Sequence, residues 1–140
     1  MIILDTNVIS ELTRQAPDRE VLAWLDSLPV EDTAITAITA AELRCGVRRL
    51  PEGSRKTELS EAVHAIITAD FRDRVEPFDL LAAYQYADVV TARERAGHPV
   101  GVADAQIAAI CRSLKATLAT GKISDFTGTG ITLVNPWEAD

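Results

Sequence analysis

Short runs of apolar and β-branched residues alternate along the chain with longer stretches of helical spacing. Each run has the size and composition of a strand that is buried on both faces. The predicted strands are Ile2–Leu4, Thr33–Thr36, Val75–Pro77, Thr117–Ala119 and Ile131–Val134. The segments that connect these runs decide whether such strands pair in parallel or antiparallel.

Between the runs, apolar residues recur three and four positions apart, which is the spacing of one helix face. These stripes predict helices over 21–28, 40–50, 59–67, 80–87 and 103–114. Helix-ending residues close several of them, such as Pro29 after the first and Pro51 after the second.

This alternation predicts an α/β fold. We expect a single domain over residues 1–140, with a mostly parallel central sheet of about four to five strands flanked by helices on both faces. Sheets of this class place their sites just beyond the C-terminal ends of the strands. Functional residues are therefore expected immediately after each strand.

Composition and charge narrow the class of protein. Hydrophobic residues make up 47% of the 140 positions, which suffices for one core, while the length is too short for two ordinary domains. Lys and Arg total 14 against 21 Asp and Glu, a net charge of −7, which argues against a broad surface that coats nucleic acid. Neither a GxxxxGK[ST] nor a GxGxxG phosphate-binding loop occurs.

The sequence also indicates the cellular location of the protein. No apolar run approaches the ~18–20 residues of a membrane span, and the N-terminal segment lacks the pattern of a signal peptide. We expect a cytoplasmic protein with no membrane partner. Cys45 and Cys111 form neither a disulfide framework nor a zinc site, and we expect both to be buried, reduced thiols.

Three carboxylates stand in or beside the most apolar segments. Asp5 directly follows the first strand, Glu42 lies in the Ala-rich helix after the second, and Asp104 opens an apolar helix. Helical spacing turns Asp104 toward the stripe that contains Ile107. A buried carboxylate is costly unless cations or several donors meet it, and no Lys or Arg lies near Asp5 or Asp104 in the sequence.

Each acid also has a purely structural interpretation. Asp5 would cap a helix that begins near Thr6. Glu42 would complete a capping box with Thr39, and Asp104 would be favourable in the first turn of its helix. Taken together, the three favour a cluster, because clustered carboxylates either share protons or hold a hard cation.

Oxygen-only ligands indicate Mg²⁺ or Mn²⁺. His64 lies in mid-helix and His98 in a Gly-His-Pro turn, and we expect both to be surface or capping residues, so zinc is disfavoured. Mg²⁺ keeps several waters, so a few carboxylates suffice to hold it. Such a site activates water and stabilises charge in phosphodiester hydrolysis.

Four segments in order resemble the motifs of PIN-domain proteins, specifically the VapC-type toxins of toxin–antitoxin pairs and the similar FitB-like group. These segments are Ile2–Glu11, Ile38–Val47, Asp104–Ala109 and a C-terminal signature made of Leu118–Thr120, Asp125-Phe126 and Val134–Trp137. The resemblance implies a metal-dependent endoribonuclease that leaves 5′-phosphate and 3′-hydroxyl ends. It places Asp5, Glu42 and Asp104 at the family's three acidic positions, as catalytic residues and ligands of Mg²⁺ or Mn²⁺.

The resemblance also assigns supporting residues. Thr6 and Asn7 correspond to the polar residues after the first acid, where they would orient Asp5 or a metal-bound water. Thr120 would face the same site from the end of the fourth strand.

The chain departs from the family at the fourth site position. Where the family commonly reads Ala-Thr-Arg-Asn or Ala-Thr-Arg-Asp, this chain has Ala119-Thr120-Gly121-Lys122. Three consequences stay open. Lys122 binds an RNA phosphate in place of the missing Arg, Lys122 weakens or abolishes a second metal position, or Asp125 supplies the fourth carboxylate. Asp125 is alternatively a turn or cap residue.

The densest basic group consists of Arg44, Arg48, Arg49, Arg55 and Lys56. Arg44 lies two residues after Glu42, and we expect it at the rim of the site, where a guanidinium would bind a substrate phosphate bidentately. The alternative for the group is a solvated helix face paired with nearby Glu residues. No platform of interleaved aromatic and basic residues is predicted, so recognition of RNA by shape and phosphate geometry is expected.

The resemblance further implies partners. They are a cognate VapB-like antitoxin that covers the groove, an RNA substrate (tRNA, rRNA or mRNA) and a second copy of the chain in a homodimer. Promoter DNA would be bound only through the antitoxin.

Other functions compete with this one. A catalytically impaired PIN-domain protein that acts by binding antitoxin or RNA is favoured by Lys122. A phosphatase of the haloacid-dehalogenase type needs a second Asp two residues after Asp5, where this chain has Asn7. A phospho-receiver domain needs an acceptor Asp at a central strand end, which Thr36-Ala37-Ile38 does not offer.

Overall fold

Short parallel strands form the sheet at the centre of the molecule. In the computed structural model, which describes residues 1–139, they are β1 (Ile2–Leu4), β2 (Thr33–Thr36), β3 (Val75–Glu76), β4 (Thr117–Ala119) and β5 (Thr132–Val134). Their order across the sheet is β3-β2-β1-β4-β5. All five predicted strands are confirmed, with Pro77 and Ile131 just outside their observed ends.

The central strand β1 is the point where the chain changes direction across the sheet. Ile2 pairs with Thr33 of β2 on one side and with Thr117 of β4 on the other. The chain runs outward from β1 through β2 to β3, then crosses back to β4 on the opposite side of β1. Such a reversal opens a crevice beyond the C-terminal ends of the two diverging strands. Asp5 and Thr120, which directly follow β1 and β4, border this crevice.

Helices cover both faces of the sheet, as predicted. They are α1 (Thr6–Leu12), α2 (Arg19–Asp26), α3 (Ala37–Arg48), α4 (Ser54–Ala65), α5 (Leu80–Arg95), α6 (Val102–Leu114) and α7 (Ile123–Phe126), with a 3-10 turn at Val30–Asp32 and a π-helical turn at Ile66–Asp70. Successive strand residues point to opposite faces. Ile3 therefore packs with residues of α5 and α6, whereas Leu4 packs with residues of α1 to α4.

The five predicted helices are confirmed, but one predicted cap is wrong. The cap of α3 is Thr36, whose Oγ1 accepts the Thr39 N–H at 3.0 Å. The helix thus begins before Thr39, and the expected capping box between Thr39 and Glu42 does not form. Thr is a good cap in either place, and Thr36 is favoured because it directly ends β2.

Two short helices follow strand ends and shape the crevice. The α1 helix begins at Thr6 with Asp5 as its cap, as the structural interpretation of Asp5 predicted. The four-residue helix α7 was not predicted, because one turn is too short to show a periodic stripe.

The expectation that both thiols are buried is wrong for one of them. Cys111 is buried in α6, and burial raises the pKa of its thiol to about 12. Cys45 is exposed, because it lies two residues after the buried Leu43 and so points to the opposite side of α3. His64 and His98 are exposed, as predicted. Within residues 1–139, no helix has the length and apolar character needed to cross a membrane.

Candidate active site

Asp5 is a buried carboxylate held by three hydrogen bonds at the end of β1. Its side chain belongs to a residue only 1% exposed. Oδ1 accepts the Thr6 backbone N–H at 2.8 Å, and Oδ2 accepts from Asn7 Nδ2 at 2.9 Å and from Thr120 Oγ1 at 2.8 Å. Burial raises the pKa of Asp5, although the Thr120 and Thr6 hydrogen bonds and the Lys122 charge oppose that rise. The structure therefore keeps a costly carboxylate in place with donors from two strand ends.

Asn7 links the end of β1 to the end of β4. Its Nδ2 donates to Asp5 and also lies 3.1 Å from Thr120 Oγ1. Its Oδ1 accepts the Gly121 N–H at 2.9 Å. Thr120 Oγ1 in turn accepts the Lys122 N–H at 3.0 Å. Both amide ends of Asn7 are thus used to fix the position of the segment after β4.

Glu42 reaches the same site from α3 through Thr6. The Thr6 hydroxyl donates to Glu42 Oε1 at 2.7 Å and lies 3.0 Å from the Thr39 hydroxyl. Glu42 is exposed, so its other carboxylate oxygen stays open to solvent and ligands. The sequence suggested that Thr6 orients Asp5 or a bound water. In the structure its backbone N–H donates to Asp5, and its hydroxyl orients Glu42.

Asp104 completes the acidic group from the first turn of α6. It is half-buried, and burial is the main cause of its raised pKa. The charges of Asp5, Asp125 and Glu42 raise that pKa further, while the Lys122 charge lowers it. Four acids and one lysine from separate parts of the chain therefore share one electrostatic environment.

Lys122 and Asp125 lie at the start and within the turn of α7. Both are exposed. Within residues 1–139 the Lys122 ammonium forms no ion pair. Its charge lowers the pKa of both Asp5 and Asp104. No Lys or Arg is close to these acids in the sequence, and the fold brings Lys122 near them instead.

Arg44 does not lie against the acidic group. It lines a separate cavity of about 350 Å³ between α3 and α4, together with Arg48, Glu52 and Lys56. Lys56 Nζ pairs with Glu52 at 2.7 Å, as expected for a solvated helix face. Arg44, Arg48 and Lys56 therefore line a surface separate from the cavity that Glu42 and Lys122 line.

A second cavity of about 450 Å³ opens directly beside Glu42. Glu42, Asn7 and Lys122 line it, and so do Arg14 and Trp137. Sequence reasoning assigned no function to Arg14 or Trp137. Only the position of Trp137 in the C-terminal motif could have indicated that it belongs to the site. Trp137 is far in sequence from Asn7 and Glu42, with which it lines this cavity.

The donor chemistry of this site fits a hard divalent cation. Carboxylate oxygens are the ligands that Mg²⁺ and Mn²⁺ favour. Among the described residues, no hydrogen bond to the Asp104 carboxylate lowers its pKa, so its oxygens remain available to a cation. Within residues 1–139, no three His, Cys, Asp or Glu side chains form a ready metal-binding group. The site thus suits an ion that keeps several waters beside its carboxylate ligands, and it does not suit a closed protein cage.

An open α/β sheet with acids converging at the β1/β4 crevice defines the class of protein. The PIN domain model matches residues 2–121. The chain belongs to the PIN-domain family.

Within the PIN-domain family, the chain is similar to proteins that are named as toxins and ribonucleases. The chain is 42% identical over 138 residues to VapC ribonuclease Y4jK of Sinorhizobium fredii (strain NBRC 101917 / NGR234), covering 99% of both chains. It is 42% identical to Toxin FitB of Neisseria gonorrhoeae (strain ATCC 700825 / FA 1090), covering 98% of this chain and 99% of FitB. A solved structure of FitAB bound to an IR36 DNA fragment matches with a TM-score of 0.93 and 40% identity, covering 100% of this chain and 98% of that one.

Proposed function

We propose that this chain is a metal-dependent endoribonuclease, the toxin of a toxin–antitoxin pair. The observation that carries the proposal is the convergence of buried Asp5 and half-buried Asp104 at the β1/β4 crevice, each with a raised pKa. Burying such carboxylates costs folding free energy, whereas a cation-dependent reaction requires them. The names of the relatives, VapC ribonuclease and Toxin FitB, support the same function.

In this proposal Asp5, Glu42 and Asp104 hold Mg²⁺ or Mn²⁺, with Asp125 as a further candidate ligand. When bound, such an ion supplies an activated water and a Lewis acid for hydrolysis of an RNA phosphodiester. Asn7 and Thr120 hold the Asp5 carboxylate in one orientation, and Thr6 does the same for Glu42. The expected products carry 5′-phosphate and 3′-hydroxyl ends.

Cationic side chains bind the substrate in this proposal. The exposed ammonium of Lys122 is close enough to Asp5 and Asp104 to influence both, and it would bind the phosphate beside the acids. Arg44 would bind a more distant phosphate from the α3 side.

The decisive experiment is cleavage of labelled tRNA, rRNA and mRNA by the purified chain with Mg²⁺, Mn²⁺ or EDTA. Asp5→Asn and Asp104→Asn should each lower the cleavage rate by at least about 10²-fold, a typical loss when a catalytic group is removed. Asp79→Asn is the matched control. Asp79 caps α5 through the Ala82 N–H as Asp5 caps α1, and Asn is an equally good cap. Cleavage that persists in Asp5→Asn, or that is equally lost in Asp79→Asn, would contradict the proposal.

The proposal includes partners and a location. We expect a VapB-like antitoxin to cover the crevice, a homodimer of the chain, and promoter DNA bound only through the antitoxin. The FitAB structure with its DNA fragment supports this arrangement. RNA substrates place the protein in the cytoplasm. Light scattering on the chain alone should give the mass of a dimer, and a monomer would remove the homodimer from the proposal.

A second candidate is a catalytically impaired PIN-domain protein that acts by binding antitoxin or RNA. Lys122 favours it, because an ammonium near Asp5 and Asp104 competes with a bound cation. Calorimetric titration with Mn²⁺ separates the two candidates. Weak Mn²⁺ binding that Lys122→Asn strengthens, together with cleavage that appears only in that variant, would establish the impaired protein.

A further inference from the structure

Trp137 is an aromatic wall of the cavity beside the acids. It lies shortly after β5, is half-buried, and lines the same 450 Å³ cavity as Glu42 and Lys122. The other described residues that line this cavity are polar or charged, so Trp137 is its one flat apolar surface within the described chain.

Gly121 allows the indole to lie so close to the acidic site. A Cβ at this position would meet Trp137 Cζ3 at 2.9 Å and Cε3 at 3.0 Å, a separation that real Cβ atoms do not adopt. The Gly121 N–H also donates to Asn7 Oδ1, and Asn7 Nδ2 donates to Asp5. The position of the ring is therefore tied to Asp5 through two residues.

The cavity combines three features that together fit a nucleotide. Trp137 offers an aromatic surface, the Lys122 ammonium offers an unpaired positive charge among the described residues, and Glu42 marks the edge nearest the acidic group. A nucleotide has a flat base next to an anionic phosphate. Stacking on an indole suits every base, since each has a π-face.

We propose that Trp137 forms a base-binding subsite, in which its indole stacks on the nucleobase next to the scissile phosphate while Lys122 binds a phosphate of the same strand. The inference rests on the proposed ribonuclease function and adds to it a position at which a base, besides the backbone, is bound. It adds a base contact to the recognition by shape and phosphate geometry that the sequence predicts.

Intrinsic fluorescence tests the subsite without altering it. The chain has two tryptophans, Trp24 and Trp137, so Trp24→Phe leaves Trp137 as the only indole reporter. Asp104→Asn in the same protein prevents hydrolysis while Mg²⁺ is present. A short oligouridylate should quench the Trp137 emission saturably. A matched oligomer with abasic residues, which keeps the phosphates, should not.

Binding is measured independently by the anisotropy of labelled versions of both oligomers. If the oligouridylate binds and the Trp137 emission stays unchanged, the subsite is wrong while the ribonuclease proposal stands. If neither oligomer nor the tRNA and mRNA substrates bind at all, both proposals fall.

Cleavage kinetics provide the second measurement. Trp137→Leu should raise KM about five- to a hundredfold, the range that corresponds to the stacking of one base, and leave kcat little changed. Trp137→Phe should keep most of the affinity because it keeps an aromatic face. Equal KM values for the Leu and Phe variants would overturn the subsite, since a purely structural role makes no such distinction.

Discussion

At the scale of single residues, two carboxylates of the site differ in how many hydrogen-bond donors they have. Asp5 accepts hydrogen bonds from Thr6, Asn7 and Thr120. Asp104 depends on partial exposure, and neighbouring acids make its charged form less favourable. Removing the charge of Asp5 and removing that of Asp104 should therefore affect the stability of the fold differently.

Asp104→Asn should stabilise the protein in EDTA at neutral pH. The pKa of Asp104 is raised above its ordinary value of 3.8, so the folded state binds this proton more tightly than the unfolded state does. The destabilisation is absent at pH values below the unfolded pKa, grows as the pH rises from the unfolded to the folded pKa, and is complete above the folded pKa. The Tm advantage of Asp104→Asn should thus appear only as the pH rises through that window.

A matched control for this measurement is Asp88→Asn. Asp88 is exposed in the middle of α5, so its removal should leave Tm nearly unchanged at every pH. A Tm gain for Asp104→Asn that is equally large in acid would show that the change acts through packing and not through charge.

The two glycines Gly121 and Gly46 should respond in opposite directions to alanine. At Gly121 the new Cβ would collide with the Trp137 ring, and overpacking of this kind destabilises by about 1–3 kcal/mol. At Gly46, inside α3, nothing lies within 4 Å of the new Cβ, and alanine in a helix should stabilise by about 0.5–1 kcal/mol. Urea denaturation measures both. A neutral Gly121→Ala would mean that Trp137 moves freely, which would also weaken the base-binding subsite.

At the scale of elements, the buried Arg93 holds α7 in position. It is 8% exposed on α5. Its Nη1 donates to the carbonyls of Asp125 at 2.8 Å and Thr127 at 3.0 Å, and its Nε donates to the His98 carbonyl at 2.6 Å. The Asp125 and Thr127 carbonyls lie at the end of α7, where a cation is favourable, and the His98 carbonyl lies between α5 and α6.

Arg93→Ala should destabilise the fold by about 2–4 kcal/mol, because it removes these hydrogen bonds and leaves their carbonyl acceptors without a donor. Arg93→Lys should recover little, since one ammonium cannot span the same carbonyls. The exposed Arg95→Ala in the same helix is the control, expected within about 0.5 kcal/mol of the parent. Urea denaturation gives all three values, and a mild loss for Arg93→Ala would mean that α7 is held by its apolar contacts alone.

Most elements could be predicted from the sequence, because the stripe of α6 and the β-branched run of β2 are local patterns. The turn α7 and the cap at Thr36 could not, since one turn carries no period and two threonines compete for one cap. The site was harder to predict. The carboxylates stood out as charges in apolar segments, whereas the closeness of Lys122 and Trp137 to Asp5 depends on how the strands pair across the sheet.

At the scale of the whole molecule, the net charge of −7 limits how the chain can bind RNA. A protein with this excess of acids has few cations to place on phosphates. Lys122 and Arg44 remain to bind phosphate near the site, because Arg14 pairs with Glu11 and Lys56 pairs with Glu52. A basic segment of a partner would, in contrast, be attracted to the acidic crevice.

RNA affinity should therefore depend weakly on salt. Two phosphate contacts predict a slope of about −1.4 in log affinity against log salt, at ~0.7 per contact for single strands. Lys122→Gln should reduce the slope by about 0.7, while Arg95→Gln on the exposed end of α5 should not. Anisotropy titrations at several salt concentrations measure the slope, and a value steeper than about −4 would show that RNA binds a wider basic face than Lys122 and Arg44 provide.

The hydrogen bond between Thr120 Oγ1 and Asp5 Oδ2 joins residues 115 positions apart. Asp5 leaves the ribosome well before β4, the strand whose end supports it, has been made. Because non-local contacts of this kind form last, a nascent or prematurely terminated chain that stops before β4 holds its first acid without support. For a protein proposed to cut RNA, this order of synthesis keeps unfinished chains harmless to the translation that produces them.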